Sequence, residues 1–178
     1  MKLRFCESEI PYYARRFLEY FSNNDEQFAR EQELTDKTLV DKVQQQEYLD
    51  LTLLKKIAHW KSPRRAARID LNSENDVKEI TRYAFTTQSE RVRYGILQLL
   101  DGVRLPTASA ILHFFHKEPY PIIDVRALSS IGINKKGNNY PFPFWQTYVD
   151  FCRTLAKSSN VDMRTLDRAL WEYSRENQ

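Results

Sequence analysis

Apolar side chains recur every three or four positions through almost all of this 178-residue chain, the spacing that lines one face of an α-helix. Ile10, Tyr13, Phe17 and Phe21 form the first stripe, and Leu51, Leu54 and Ala58 form the next, ahead of Trp60. Asn72 and Ser73, both good capping residues, introduce Val77, Ile80 and Ala84. Val92, Ile96, Leu99 and Leu100 make a stripe ending at Asp101-Gly102, and Ala108, Ile111, Leu112 and Phe115 make one ending before Pro119. Beyond a polar loop at 134–140, Trp145, Tyr148, Val149, Cys152 and Leu155 share a face, and Leu166, Leu170 and Tyr173 close the series. Sustained apolar–polar alternation is nearly absent and no Asn-Gly turn occurs, so strands are not expected. The spacing predicts an all-α bundle of about eight to ten helices with short connections. Chain length favours a single domain over residues 1–178.

Composition narrows the class. With 42% hydrophobic and 29% charged residues, the chain is neither disordered nor membrane-like. No apolar run approaches the ~18 residues a membrane span needs, and the first residues lack the apolar core of a signal peptide. Cys6 and Cys152 cannot make a disulfide framework, so a soluble, cytoplasmic protein without membrane partners is expected. Three histidines and two distant cysteines argue against a zinc site or an iron–sulfur cluster, and no metal or cofactor is expected. The four glycines, Gly95, Gly102, Gly132 and Gly137, do not fall at dinucleotide-fingerprint spacing. Net charge is +3, but unevenly spread: residues 1–50 hold 7 basic and 11 acidic side chains, whereas 51–70 hold 6 and 1. Residues 101–140 add 5 basic against 3 acidic side chains. A positive middle behind an acidic front suits a face turned toward a polyanion, or else a solvated helix surface.

The most informative stretch is Leu99-Leu100-Asp101-Gly102-Val103-Arg104-Leu105-Pro106-Thr107-Ala108. An apolar helix stops at a glycine able to take positive φ, Val103 can be buried, and the next helix opens at Pro106, where no N–H is required. Freed amides at such a hairpin, beside a helix N-terminus, seat a phosphate. One helix later comes Pro119-Tyr120-Pro121-Ile122-Ile123-Asp124-Val125-Arg126-Ala127-Leu128. Together, residues 99–131 resemble the helix-hairpin-helix DNA glycosylases, the superfamily of endonuclease III and the adenine mismatch glycosylases. Gly102, Val103, Thr107 and Ala108 match the family motif without a gap, and Asp124 falls where its catalytic aspartate sits. Residues 166–171 are similar to the last helix of some members, while residues 1–90 match no known pattern. Arg104 replaces the second hairpin glycine, and Ser129 stands where many members have an arginine. Pro106 stands in place of the nucleophilic lysine of bifunctional members, so lyase chemistry through that position is excluded. The four-cysteine iron–sulfur loop of some members is absent.

The resemblance implies a monofunctional, metal-free DNA glycosylase, or a non-catalytic DNA-binding relative. Asp124 would stabilise oxocarbenium character on the sugar and orient water. An aspartate there is also a good N-cap for a helix over 125–131, and the two roles are compatible. Lys61, Arg64 and Arg65, with Lys55, Lys56 and Arg68 around them, suit a phosphate backbone, as do Gly102, Val103, Arg104 and Thr107. Lys135 and Lys136 fit either a DNA clamp or a solubilising loop. Trp60, Tyr83 and Tyr94 are candidates for the aromatic wall that an extruded base needs, with a core tryptophan the alternative for Trp60. Gly132 to Gly137 has phosphate-loop glycine spacing but lacks the Lys-Ser/Thr that follows. His113 and His116 lack a third metal ligand. The expected partner is DNA, bound by a monomer.

Overall fold

The computed structural model describes residues 1–22, 26–134 and 140–177. Every regular element among them is helical. In chain order these are α1 (Ile10–Phe21), α2 (Glu26–Leu34), α3 (Lys37–Gln46), α4 (Leu51–Lys61), α5 (Pro63–Ala66) and α6 (Glu74–Thr86). They continue with α7 (Glu90–Ile96), α8 (Leu105–Phe115), α9 (Val125–Ser130), α10 (Phe142–Ser158) and α11 (Met163–Glu176). Single 3-10 turns cover Glu7–Glu9, Ala67–Leu71 and Leu97–Leu99. The additional helices are the four-residue α5 together with α2 and α3, the latter two with buried apolar residues too sparse to print a stripe: Leu34 in one and Val43 in the other. No described helix is long and apolar enough to cross a membrane.

Short polar side chains set the helix starts. Asp36, Asp50, Ser73, Ser89, Asp124 and Asp162 each accept the amide three residues on, at the heads of α3, α4, α6, α7, α9 and α11. Each such bond satisfies an amide that the helix itself cannot, a contribution of about 1 kcal/mol.

The chain forms two compact units, the continuous segment Glu26–Glu118 and a second that joins Met1–Asp25 to Pro119–Gln178. In the discontinuous unit, α11 lies along α1 and against α9 and α10. Ile10, Phe17 and Phe21 of α1 are buried, as are Leu166, Ala169 and Leu170 of α11, and Phe17 meets Trp171 edge-on at 5.4 Å. All five stripe residues of α10, from Trp145 to Leu155, are buried. Trp145 stacks parallel to Tyr120 at 6.3 Å, and the Tyr148 hydroxyl donates to the Ile122 carbonyl at 2.8 Å. The Lys2 and Arg4 amides donate to the carbonyls of Ile131 and Ser130, strapping the chain's start to the end of α9.

In the continuous unit, α4 packs against α2, α5, α6 and α8. The α8 helix is buried almost all round, with Leu105, Ala108, Ile111, Leu112 and Phe115 inside. One stripe departs from its sequence reading. Val92 and Leu99 face solvent, and the buried line is Arg93, Leu97 and Leu100. Both lines have helical spacing, and Arg93 decides between them. Its Nε donates to the Ala84 carbonyl at 2.9 Å, and its guanidinium also bonds Glu90 and the Thr87 carbonyl. These bonds satisfy the free carbonyls ending α6 and make burial of the arginine tolerable.

Candidate nucleic-acid interface

The Leu97–Leu99 turn ends in a tight reversal, where the Val103 amide donates to the Leu100 carbonyl at 3.1 Å. Gly102 takes φ +80° at its third position, the left-handed value that favours glycine. Val103 is fully buried, Arg104 is exposed, and Pro106 lies in the first turn of α8. Of the amides that the hairpin could free, that of Val103 is therefore spent inside the turn. Among the described residues, those of Gly102, Arg104 and Leu105 donate to no protein acceptor.

The hairpin sits directly on the basic stretch 63–71. A Cβ at Gly102 would lie 2.9 Å from Ile69 Cδ1, 3.2 Å from the Arg65 carbonyl oxygen and 3.2 Å from Arg68 Cβ. Asn72 clasps Asp101 from both sides, donating to its carbonyl at 3.0 Å and accepting its amide at 2.8 Å. Arg68 reaches the Asp101 carboxylate at 3.4 Å, and the Thr107 hydroxyl donates to Ser62 Oγ at 3.3 Å. Thr107 is buried and ties α8 to the head of α5 rather than offering a group to solvent.

The cations divide into two groups. Lys55 pairs with Asp70, Lys56 with Glu33 and Arg68 with Asp101. Arg64, Arg65 and Arg104 are exposed and enter no ion pair among the described residues. Lys61 is half-buried, its ammonium 6.0 Å from the Trp60 ring centroid. Lys135 and Lys136 lie outside the described residues.

The three aromatic candidates do not form one wall. Trp60 is a core residue, packed edge-on against Phe114 at 5.0 Å, because its spacing from Leu53 and Ile57 places it on the buried face of α4. Tyr83 is 62% exposed on α6 and makes no ring contact among the described residues. Tyr94 is half-buried on α7, and its carbonyl accepts from Gln98 at 2.6 Å.

Asp124 belongs to the discontinuous unit. Tyr120, Ile122 and Ile123 lead into it fully buried, and Val125 after it is exposed. Its backbone is extended, and one carboxylate oxygen accepts the Ala127 amide at 2.8 Å, so it caps α9 while staying half-buried. Burial, with the Asp124 charge second, holds the neighbouring Tyr140 phenol above its usual value. No group of three or more histidine, cysteine or acidic side chains among the described residues is placed to hold a metal ion. Sequence reasoning read Asn72 only as a capping residue and placed Leu99 in a stripe, whereas Asn72 is a clasp and Leu99 is exposed; Leu71, a lone leucine, prints no pattern.

Comparison with models of protein families, with curated proteins and with solved structures gives no match.

Proposed function

We propose that the protein binds DNA through the surface made by the Gly102 hairpin and the basic stretch 63–71, and that it hydrolyses an N-glycosidic bond with Asp124 as a divergent helix-hairpin-helix glycosylase. The observation that carries the binding is the seating of Gly102 on Arg65 and Arg68. It sets the hairpin, whose exposed Arg104 has an amide without a protein acceptor, on the stretch that carries Arg64 and Arg65, and all three arginines lack ion-pair partners among the described residues. Amides and guanidinium groups are the donors that phosphate oxygens accept from, and neither reads base sequence. The catalytic assignment rests on the motif spacing from Gly102 to Asp124 and on the carboxylate's partial exposure. A carboxylate near C1′ stabilises developing positive charge on the sugar and orients the attacking water. Pro106 offers no amine, so water is the final acceptor and the product is an intact abasic strand.

A second reading, a DNA-binding module without catalysis, is favoured by the bond from the Ala127 amide, which gives Asp124 a complete structural role as a cap. Asp124→Asn separates the two, because asparagine caps as well as aspartate but carries no charge. DNAs bearing different modified bases, incubated with the protein and then treated with alkali, are expected to break at one modification. The Asp124→Asn variant should break none and bind DNA equally well. Salt-dependent binding with no breakage at any base would establish the second reading. A borohydride-trapped covalent adduct would overturn the hydrolytic mechanism. DNA affinity insensitive to salt would overturn both readings, since phosphate contacts release counterions.

A further inference from the structure

A groove of about 180 Å³ is lined by α3 and by the start of α4, inside the continuous unit. Leu39 and Val43, one turn apart on α3, and Leu53 of α4 give it an apolar floor. Val43 and Leu53 are buried and Leu39 is half-buried. Lys42, Gln46 and Asp50 stand around that floor. Most charges nearby are spent on one another: Lys56 pairs with Glu33, Lys37 with Asp41, Glu47 with Lys117 and Lys78 with Glu74. Lys42 is exposed and enters no ion pair among the described residues. Asp50 accepts the Leu53 amide through Oδ1 at 2.7 Å, and its Oδ2 accepts no hydrogen bond among the described residues. Gln46 donates to the Tyr48 carbonyl through Nε2 at 2.7 Å, which leaves its Oε1 as an acceptor. One cation and one carboxylate thus keep capacity for a ligand, with apolar surface beside them.

That balance decides the class of ligand. A simple anion would meet the Asp50 carboxylate, and a simple cation would meet Lys42. A molecule bearing both charges and an apolar body suits the whole groove. Size narrows the choice further. A cavity of about 150 Å³ takes up benzene, whereas drug-sized ligands fill about 300–1,000 Å³, so the groove is too small for a nucleotide. We propose that it binds the zwitterion of an apolar α-amino acid of about leucine's size. Lys42 donates to the ligand's carboxylate, Asp50 and Gln46 accept from its ammonium, and its side chain lies on Leu39, Val43 and Leu53. The DNA-binding reading uses none of these residues, so either can fail without the other.

Calorimetric titration of the full chain with leucine is expected to show saturable binding at one site. Three analogues each remove one feature: isocaproate lacks the ammonium, isoamylamine the carboxylate and glycine the apolar side chain. Each should bind at least about tenfold more weakly, as should leucine to a Lys42→Gln or an Asp50→Asn variant. Asparagine still caps α4 and Lys42 has no ion pair to lose, so both variants should keep the helical content and melting temperature of the wild type. Absence of binding by leucine, isoleucine, methionine and phenylalanine up to about 10 mM would overturn the proposal. Unchanged leucine affinity in either variant would also overturn it. Isocaproate or isoamylamine binding as tightly as leucine would reassign the groove to a simple ion. N-acetylleucinamide binding as tightly would reassign it to a side chain of a peptide partner, and each reassignment overturns the zwitterion.

Discussion

Gly102 is the residue on which the hairpin turn depends. Alanine there would meet a positive φ and three neighbours, two of them backbone or Cβ atoms that cannot swing aside. Gly102→Ala is expected to lower the unfolding free energy by about 1–3 kcal/mol in urea titration; an unchanged midpoint would show that the turn tolerates a side chain. His116 offers a separate handle. Burial, reinforced by the charge of Arg93, holds its imidazole below the usual 6.5. Above that pH the ring is neutral in both states and adds no pH dependence. As pH falls further, the unfolded chain takes up the proton first, so stability declines until the folded value is passed. Wild type should therefore lose stability below pH ~6.5 more steeply than His116→Gln, and parallel stability profiles would refute this.

At the scale of elements, most stripes were legible because one apolar face fits one helix. The α10 face, Trp145 to Leu155, needed no knowledge of its surroundings. The α7 face was not legible. Val92 and Leu99 have the spacing of a buried line, yet a buried arginine that ties off α6 rotates them outward, and no local pattern encodes a partner in another helix. Two alanine substitutions check that face. Leu97→Ala should cost about 2–5 kcal/mol as a core truncation, whereas Leu99→Ala should stay within about 0.5 kcal/mol. The reverse ranking in thermal melts would restore the sequence-derived face. The α9 cap was legible in Asp124, and so was the positive φ of Gly102, since few residues serve either purpose.

Across the whole molecule, the charge asymmetry was plain in the sequence but its use was not. The excess of cations between 51 and 70 becomes a candidate binding surface only because a hairpin some thirty residues later folds onto it, as the contacts of Gly102 show. All of that surface lies within the continuous unit Glu26–Glu118. That segment expressed alone is expected to be helical by circular dichroism and to bind DNA with the salt slope of the full chain. A flattened slope would mean that phosphate contacts lie in the other unit.

The discontinuous unit carries a different consequence. Its α1 is made before the whole continuous segment, but the helix that lies along it, α11, only after it. Roughly 140 residues separate them, on the order of ten seconds or more at about 5–20 residues per second. Throughout that interval, the apolar face of Ile10, Phe17 and Phe21 waits on the ribosome without its partner, while Glu26–Glu118 can already close. A transcript broken before α11 would thus yield a finished middle with a sticky leading helix, a ready client for chaperones and proteases.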